Sequence, residues 1–138
     1  ARGIVPTGEK EMSLYIQQNY GQPTGHLTRY TLRPDGFVSA DAPYLGGEFT
    51  TKPFTFTGKE LSLNFATSAA GSIKVELQDP EGIPLPGFTA ADSAELIGNM
   101  LERVVRWNES SDIGALAGKA LRLRFLMKDA SLYALRFQ

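Results

Sequence analysis

Apolar and polar residues alternate along much of this chain, and that period of two is its strongest signal. Leu61, Leu63 and Phe65 alternate with Ser62, Asn64 and Ala66, and Ile73, Val75 and Leu77 alternate with Lys74, Glu76 and Gln78. Leu121, Leu123, Phe125 and Met127 alternate with Arg122 and Arg124, with Leu126 an apolar exception on the polar side. Tyr133, Leu135 and Phe137 then alternate with Ala134 and Arg136. Shorter runs of the same kind occupy 11–18, 26–33, 36–41, 47–57 (broken at Pro53) and 100–107. Successive side chains of a strand point to opposite faces, so each run predicts an antiparallel strand with one covered face. Nine or ten strands are expected.

Turn chemistry fits that count. Arg33-Pro34-Asp35-Gly36 and Asp79-Pro80-Glu81-Gly82 place proline second and glycine fourth, the arrangement of a tight hairpin reversal. Thr57-Gly58-Lys59 and Ala69-Ala70-Gly71 read as further short reversals. Two stretches break the alternation. Gly82–Gly98 begins extended and then turns helical, because Thr89 stands three residues before Asp92 in an acidic form of the capping box. Ser110–Gly118 offers Ser111 or Asp112 as an N-cap and Gly118 as a C-cap. The expected fold is therefore all-β: a two-sheet antiparallel β-sandwich, jelly-roll-like, with two short helical crossovers. A closed barrel is the alternative. Residues 1–10 read as a linker or an entering strand, and 11–138 as a single β-sandwich domain.

Composition narrows the chemistry. The chain has 138 residues, no cysteine and a formal net charge of −1. Disulfides, thiolate metal sites and cysteine nucleophiles are excluded, and no basic field invites nucleic acid or an anionic membrane. No apolar run approaches the ~20 residues of a membrane span. Fourteen glycines and eight prolines make up about 16% of the chain, above the ~12% of average usage, as a fold of many tight turns requires.

Catalytic signatures are missing. No nucleophile elbow, zinc-protease motif, phosphate loop or dinucleotide fingerprint occurs. His26, the sole histidine, heads an expected strand after Pro23-Thr24-Gly25, where a structural hydrogen bond is the plainer role. Most carboxylates fall in turns or on polar strand faces. Glu48, between Gly47 and Phe49 and near Tyr44, is the exception, although an edge-strand charge is the better account of it. Asp79 and Asp129 at strand ends have no calcium-ligand spacing between them, so no cofactor is expected. Asn108-Glu109-Ser110 has the pattern of a glycosylation acceptor, which matters only in a eukaryotic secretory setting.

Aromatic residues outside the alternating faces are the better lead. Sugar rings present apolar C–H faces that stack on flat aromatics, while planar polar groups hold their hydroxyls. Tyr20 lies in the turn Asn19-Tyr20-Gly21-Gln22, and Tyr44 lies just before Gly46-Gly47. Trp107 stands between Arg106 and Asn108 at a strand end, where a buried core role competes with sugar contact. Tyr20, His26, Tyr44, Glu48, Trp107 and Asn108 are the candidate glycan-binding residues. Phe54, Phe56, Phe65, Phe125 and Phe137 read as core.

The stretches Arg29–Phe37, Gly46–Pro53, Leu61–Gln78, Pro84–Phe88 and Ala117–Phe125 form a connected pattern of strands and turns. Over residues 11–137 that pattern resembles the C-terminal β-sandwich module of bacterial secreted proteins related to glycoside hydrolase family 32 and its five-bladed-propeller relatives. In such proteins the catalytic carboxylates lie on the propeller, and their Asn-Asp-Pro-Asn type motif has no counterpart here. The resemblance implies a non-catalytic, secreted or periplasmic module that binds a polysaccharide or oligosaccharide, or packs against the catalytic domain of its own parent chain. The start at Ala1 fits a module cut from a longer chain. Purely structural packing is one rival reading. The other is a small lyase or hydrolase, which requires Glu48, Tyr44, Arg29 and His26 to converge.

Overall fold

A computed structural model of the chain describes residues 3–138. It is all-β, with eight strands in two antiparallel sheets. The chain divides into two compact units between Val38 and Ser39, inside the stretch read from sequence as one domain.

The first unit is a three-stranded meander of β1 (Val5–Gly8), β2 (Glu11–Gln18) and β3 (His26–Leu32). β1 thus falls in the segment expected to be a linker or an entering strand. Met12 pairs with Leu32 and Leu14 with Tyr30, so these four side chains share one face. The other face carries a polar network. Arg29 donates to Ser13 Oγ at 2.9 Å and to Thr7 Oγ1 at 3.3 Å, and it forms an ion pair with Glu11. Ser13 is the one buried residue among the described residues of this unit.

The second unit is built on two long strands, β6 (Leu61–Gln78) and β8 (Arg122–Phe137), paired antiparallel along their whole length. β4 (Ala40–Ala42) and β5 (Gly47–Thr50) pair in succession with the free edge of β8. β7 (Asn99–Val104) pairs with the first half of β6. Each long strand contains two runs that the alternation had separated, which is why eight strands replace nine or ten.

The reason is a bulge. Thr67 pairs with Ala130 and Ser72 with Lys128, so residues 68–71 stand opposite Asp129 alone. Ala69-Ala70-Gly71 is therefore a bulge within a strand and not the expected reversal. Asp129 takes a φ of +41°, and Gly71 is so close that a Cβ there would lie 2.3 Å from the Asp129 carbonyl oxygen. A bulge shifts the facing of every residue beyond it. On β8 the buried positions accordingly pass from Leu123, Phe125 and Met127 to Ala130 and Leu132. A second register shift between Asn64 and Phe65 then returns Leu135 to a place opposite Leu63, where it is still 40% exposed.

The core of this unit comprises Leu61, Leu63, Phe65, Ile73, Val75 and Leu77 of β6 with Leu121, Leu123, Phe125, Met127, Ala130 and Leu132, joined by Phe56, Leu96, Val105, Trp107 and Ile113. Each large apolar side chain so buried contributes roughly 1.5–3 kcal/mol before conformational entropy is set against it. Phe54 and Phe137 pack on the rim of this cluster, and Phe137 stacks on Phe56 at 4.3 Å.

Neither expected helical crossover forms as a helix. In the first, Thr89 and Asp92 make the reciprocal capping contacts, with Thr89 N–H donating to Asp92 Oδ2 at 3.0 Å. These close a single turn, because the chain then returns to the sheet, where Leu96 and Ile73 exchange backbone hydrogen bonds. The second contains only a three-residue 3-10 turn, Gly114–Leu116. The Asp79–Gly82 reversal does form: Gly82 N–H donates to Asp79 O at 3.0 Å, and Gly82 has a φ of +93°. Arg33–Gly36 closes by the equivalent bond, Gly36 N–H to Arg33 O at 3.0 Å, with Asp35 and not the glycine at positive φ, and it is a turn after β3 and not a hairpin between paired strands. No helix among the described residues is long and apolar enough to cross a membrane.

Candidate functional site

The outer face of β5, β8 and β6 gathers charge around an apolar centre. Glu48 on β5 and Lys74 on β6 both pair with Leu126 of β8. The neighbouring row is Thr50, Arg124 and Glu76, and on the opposite side Lys128 pairs with Ser72. Strand alternation alone thus brings Glu48, Lys74, Arg124, Leu126 and Lys128 to one face.

Arg124 organises the carboxylates. Its guanidinium donates to Glu48 Oε2 at 2.6 Å and to Glu76 Oε1 at 3.3 Å. Both hydrogen bonds favour the charged guanidinium, Glu48 more than Glu76, and hold its pKa above the usual arginine value. Glu76 is almost wholly buried. Its desolvation favours the protonated acid, but donors from Gln78 Nε2, the Ala90 amide and Arg124 outweigh that and hold the carboxyl below its ordinary 4.5. Glu76 thereby also ties the Gly82–Gly98 segment to the sheet.

The bulge positions an aromatic rim. Pro43 O accepts from Gly46 N–H at 2.9 Å and from Asp129 N–H at 3.0 Å, so the Pro43–Gly46 turn is fastened to the kink in β8. Gly46 closes that turn at a φ of +87°. The turn exposes Tyr44 (61%) and Leu45 (95%), and Lys128 Nζ lies 4.6 Å from the centroid of the Tyr44 ring. An ammonium over a tyrosine face is held by the ring quadrupole. Leu45, Glu48, Lys74, Leu126 and Lys128 surround an open depression of about 350 Å³.

Two of the six sequence candidates, Tyr44 and Glu48, belong to this face. Trp107 does not. It is 2% exposed, its Nε1–H donates to Val75 O at 2.7 Å, and its ring meets Phe88 edge-on at 5.5 Å. Both faces are taken up by the core, which leaves no surface for stacking on a sugar. Asn108, at a φ of +53°, turns the chain beside it and donates to Asp92 Oδ1 at 3.4 Å. That second carboxylate is held below its ordinary 3.8 chiefly by the Thr89 hydroxyl.

Tyr20 and His26 lie in the first unit. Tyr20 is 84% exposed at the tip of the β2–β3 turn, and His26 Nδ1 is 2.8 Å from Thr24 O. Arg29 stands three residues after His26 on β3, so the two side chains leave opposite faces of that strand. Arg29 is tied into the Glu11 network and Glu48 into the Arg124 pair, an arrangement of structural ion pairs. Asp79 Oδ1 accepts from the Glu81 and Ile83 amides and closes its own turn. No group of three or more histidine and carboxylate side chains gathers as metal ligands among the described residues.

Sequence reasoning passed over Arg124, Lys128, Lys74 and Glu76 because each reads as an ordinary solvated strand residue. The one available signal was Leu126, whose apolar side chain interrupts a polar face. Comparison of the chain with protein-family models, with curated proteins and with solved structures finds no match.

Proposed function

We propose that this chain is a non-catalytic carbohydrate-binding module, a β-sandwich of jelly-roll type that serves a secreted bacterial glycoside hydrolase. The observation that carries the reading is the Tyr44 rim. An exposed aromatic ring stands in a turn fixed by two backbone hydrogen bonds, beside an open depression lined by charged and apolar side chains. Such a surface suits a ligand with an apolar face and a polar edge, and a pyranose ring is one. The resemblance of the strand-and-turn pattern to sandwich modules of family 32 relatives supports the same reading. Binding would proceed by stacking on Tyr44 and hydrogen bonds from the rim, with no covalent step. Titration against a panel of oligo- and polysaccharides should give saturable binding that Tyr44→Ala abolishes while the fold is retained. Uniform failure of the folded protein to bind would overturn the proposal.

Leu45 favours a second reading, because so exposed a leucine beside Leu126 also suits a protein surface. In that case the face packs against a catalytic propeller. Co-expression of this chain with such a propeller as separate polypeptides would show stable association, and Leu45→Glu would disrupt it.

A further inference from the structure

Resting on the carbohydrate-binding reading, we infer that the Tyr44 depression selects sugars bearing an anionic group, a carboxylate or a sulfate ester. The face holds two carboxylates, Glu48 and Glu76, and Arg124 engages both. Lys74 and Lys128 form no ion pair with any carboxylate among the described residues. They stand on the same face of adjacent strands, Lys74 directly across from Leu126 and Lys128 two residues further along β8. Both line the depression. The whole chain is nearly neutral, yet these five side chains sum to one net positive charge, and both ammonium groups stand outside the carboxylate–guanidinium cluster.

The lysines differ in setting. Lys128 is held over one face of the Tyr44 ring, so its charge lies beside the aromatic surface that a sugar would use. Lys74 flanks the apolar floor formed by Leu126. An ammonium is a flexible point charge with three donors, suited to carboxylate and sulfate oxygens alike. A neutral sugar would use the ring and the Glu48–Arg124 edge and leave both charges unanswered. An acidic sugar answers them, and its attraction to the face should weaken as salt screens it.

The test uses the full chain and three oligosaccharide probes of matched length: an oligogalacturonate, a sulfated galactan and a neutral galactan. Calorimetry at low and high salt is run on the wild type, on the double variant Lys74→Gln/Lys128→Gln, and on Lys119→Gln as a remote charge control, with melting curves to verify folding. The expected result is binding of at least one acidic probe about tenfold tighter than the neutral one at low salt, the size of loss typical when a hydrogen-bonded charge is removed. The double variant should erase that preference and most of its salt dependence, and Lys119→Gln should keep both. Preference for the oligogalacturonate or for the sulfated galactan then identifies the anionic group. Equal binding of neutral and acidic probes, unchanged in the double variant, would overturn charge selection and leave the carbohydrate reading standing. Binding of none of the probes by the folded wild type would overturn both.

Discussion

Gly71 and Trp107 show how single residues hold this fold together. Gly71 is required because its neighbour across the bulge is backbone, which cannot move aside as a side-chain end can. Gly71→Ala should lower stability in urea unfolding by about 3 kcal/mol, the upper part of the usual range for overpacking. A loss within error would show that the bulge is plastic. Trp107 has a related duty at the β6 edge. Val75 has no strand partner on that side, and its N–H donates to Ser93 Oγ at 3.0 Å while its carbonyl accepts from Trp107 Nε1. Trp107→Phe keeps most of the apolar surface but leaves a buried carbonyl unanswered, a cost of about 1–3 kcal/mol. Chemical denaturation of the variant against wild type measures it. An unchanged midpoint would show that the indole N–H contributes nothing.

Among the elements, β6 and β8 carry the consequences. They place Glu76 under the sheet face, where its carboxylate joins β8 through Arg124 and the Gly82–Gly98 segment through the Ala90 amide. Its pKa is depressed in the folded chain, so its contribution is present above the unfolded value of about 4.5 and is lost as pH falls through the lower folded value. Stability should therefore decline from about pH 4.5 downward, and Glu76→Gln should flatten part of that decline while lowering stability at neutral pH. Melting temperatures at pH 3, 4, 5 and 7 for both proteins test this. Parallel pH profiles would remove Glu76 from the account. The Glu48–Arg124 pair, being more exposed, contributes little to stability even though it shapes the site.

For the whole molecule, the two units differ in how much they bury. The meander of β1–β3 has Ser13 as its one buried residue among those described, whereas β6 buries eleven of its eighteen positions, counting Gly71. Amide hydrogen exchange follows opening, and opening is easiest where few apolar contacts must break. Amides of β2 and β3 should exchange at least tenfold faster than those of the β6–β8 ladder under native conditions. Equal protection across both units would show that they open together.

The class of fold and much of its core were legible in the sequence. Alternation is a local property, and Leu61, Val75, Leu123 and Phe125 are buried where it placed them. The Asp79–Gly82 reversal was legible for the same reason, because proline and glycine set backbone angles without reference to distant chain. Of the candidate site, the sequence supplied Tyr44 and Glu48. Tertiary structure decided the rest. Whether Ala69-Ala70-Gly71 reverses the chain or bulges depends on a partner strand some sixty residues later, and that choice fused four expected strands into two. Other long-range contacts set Lys128 over Tyr44, gave Arg124 to Glu48 and Glu76, and enclosed Trp107 between Phe88 and Val75. Local propensity fixes the facing of a residue within its strand, but only long-range register determines which residues meet across the sheet.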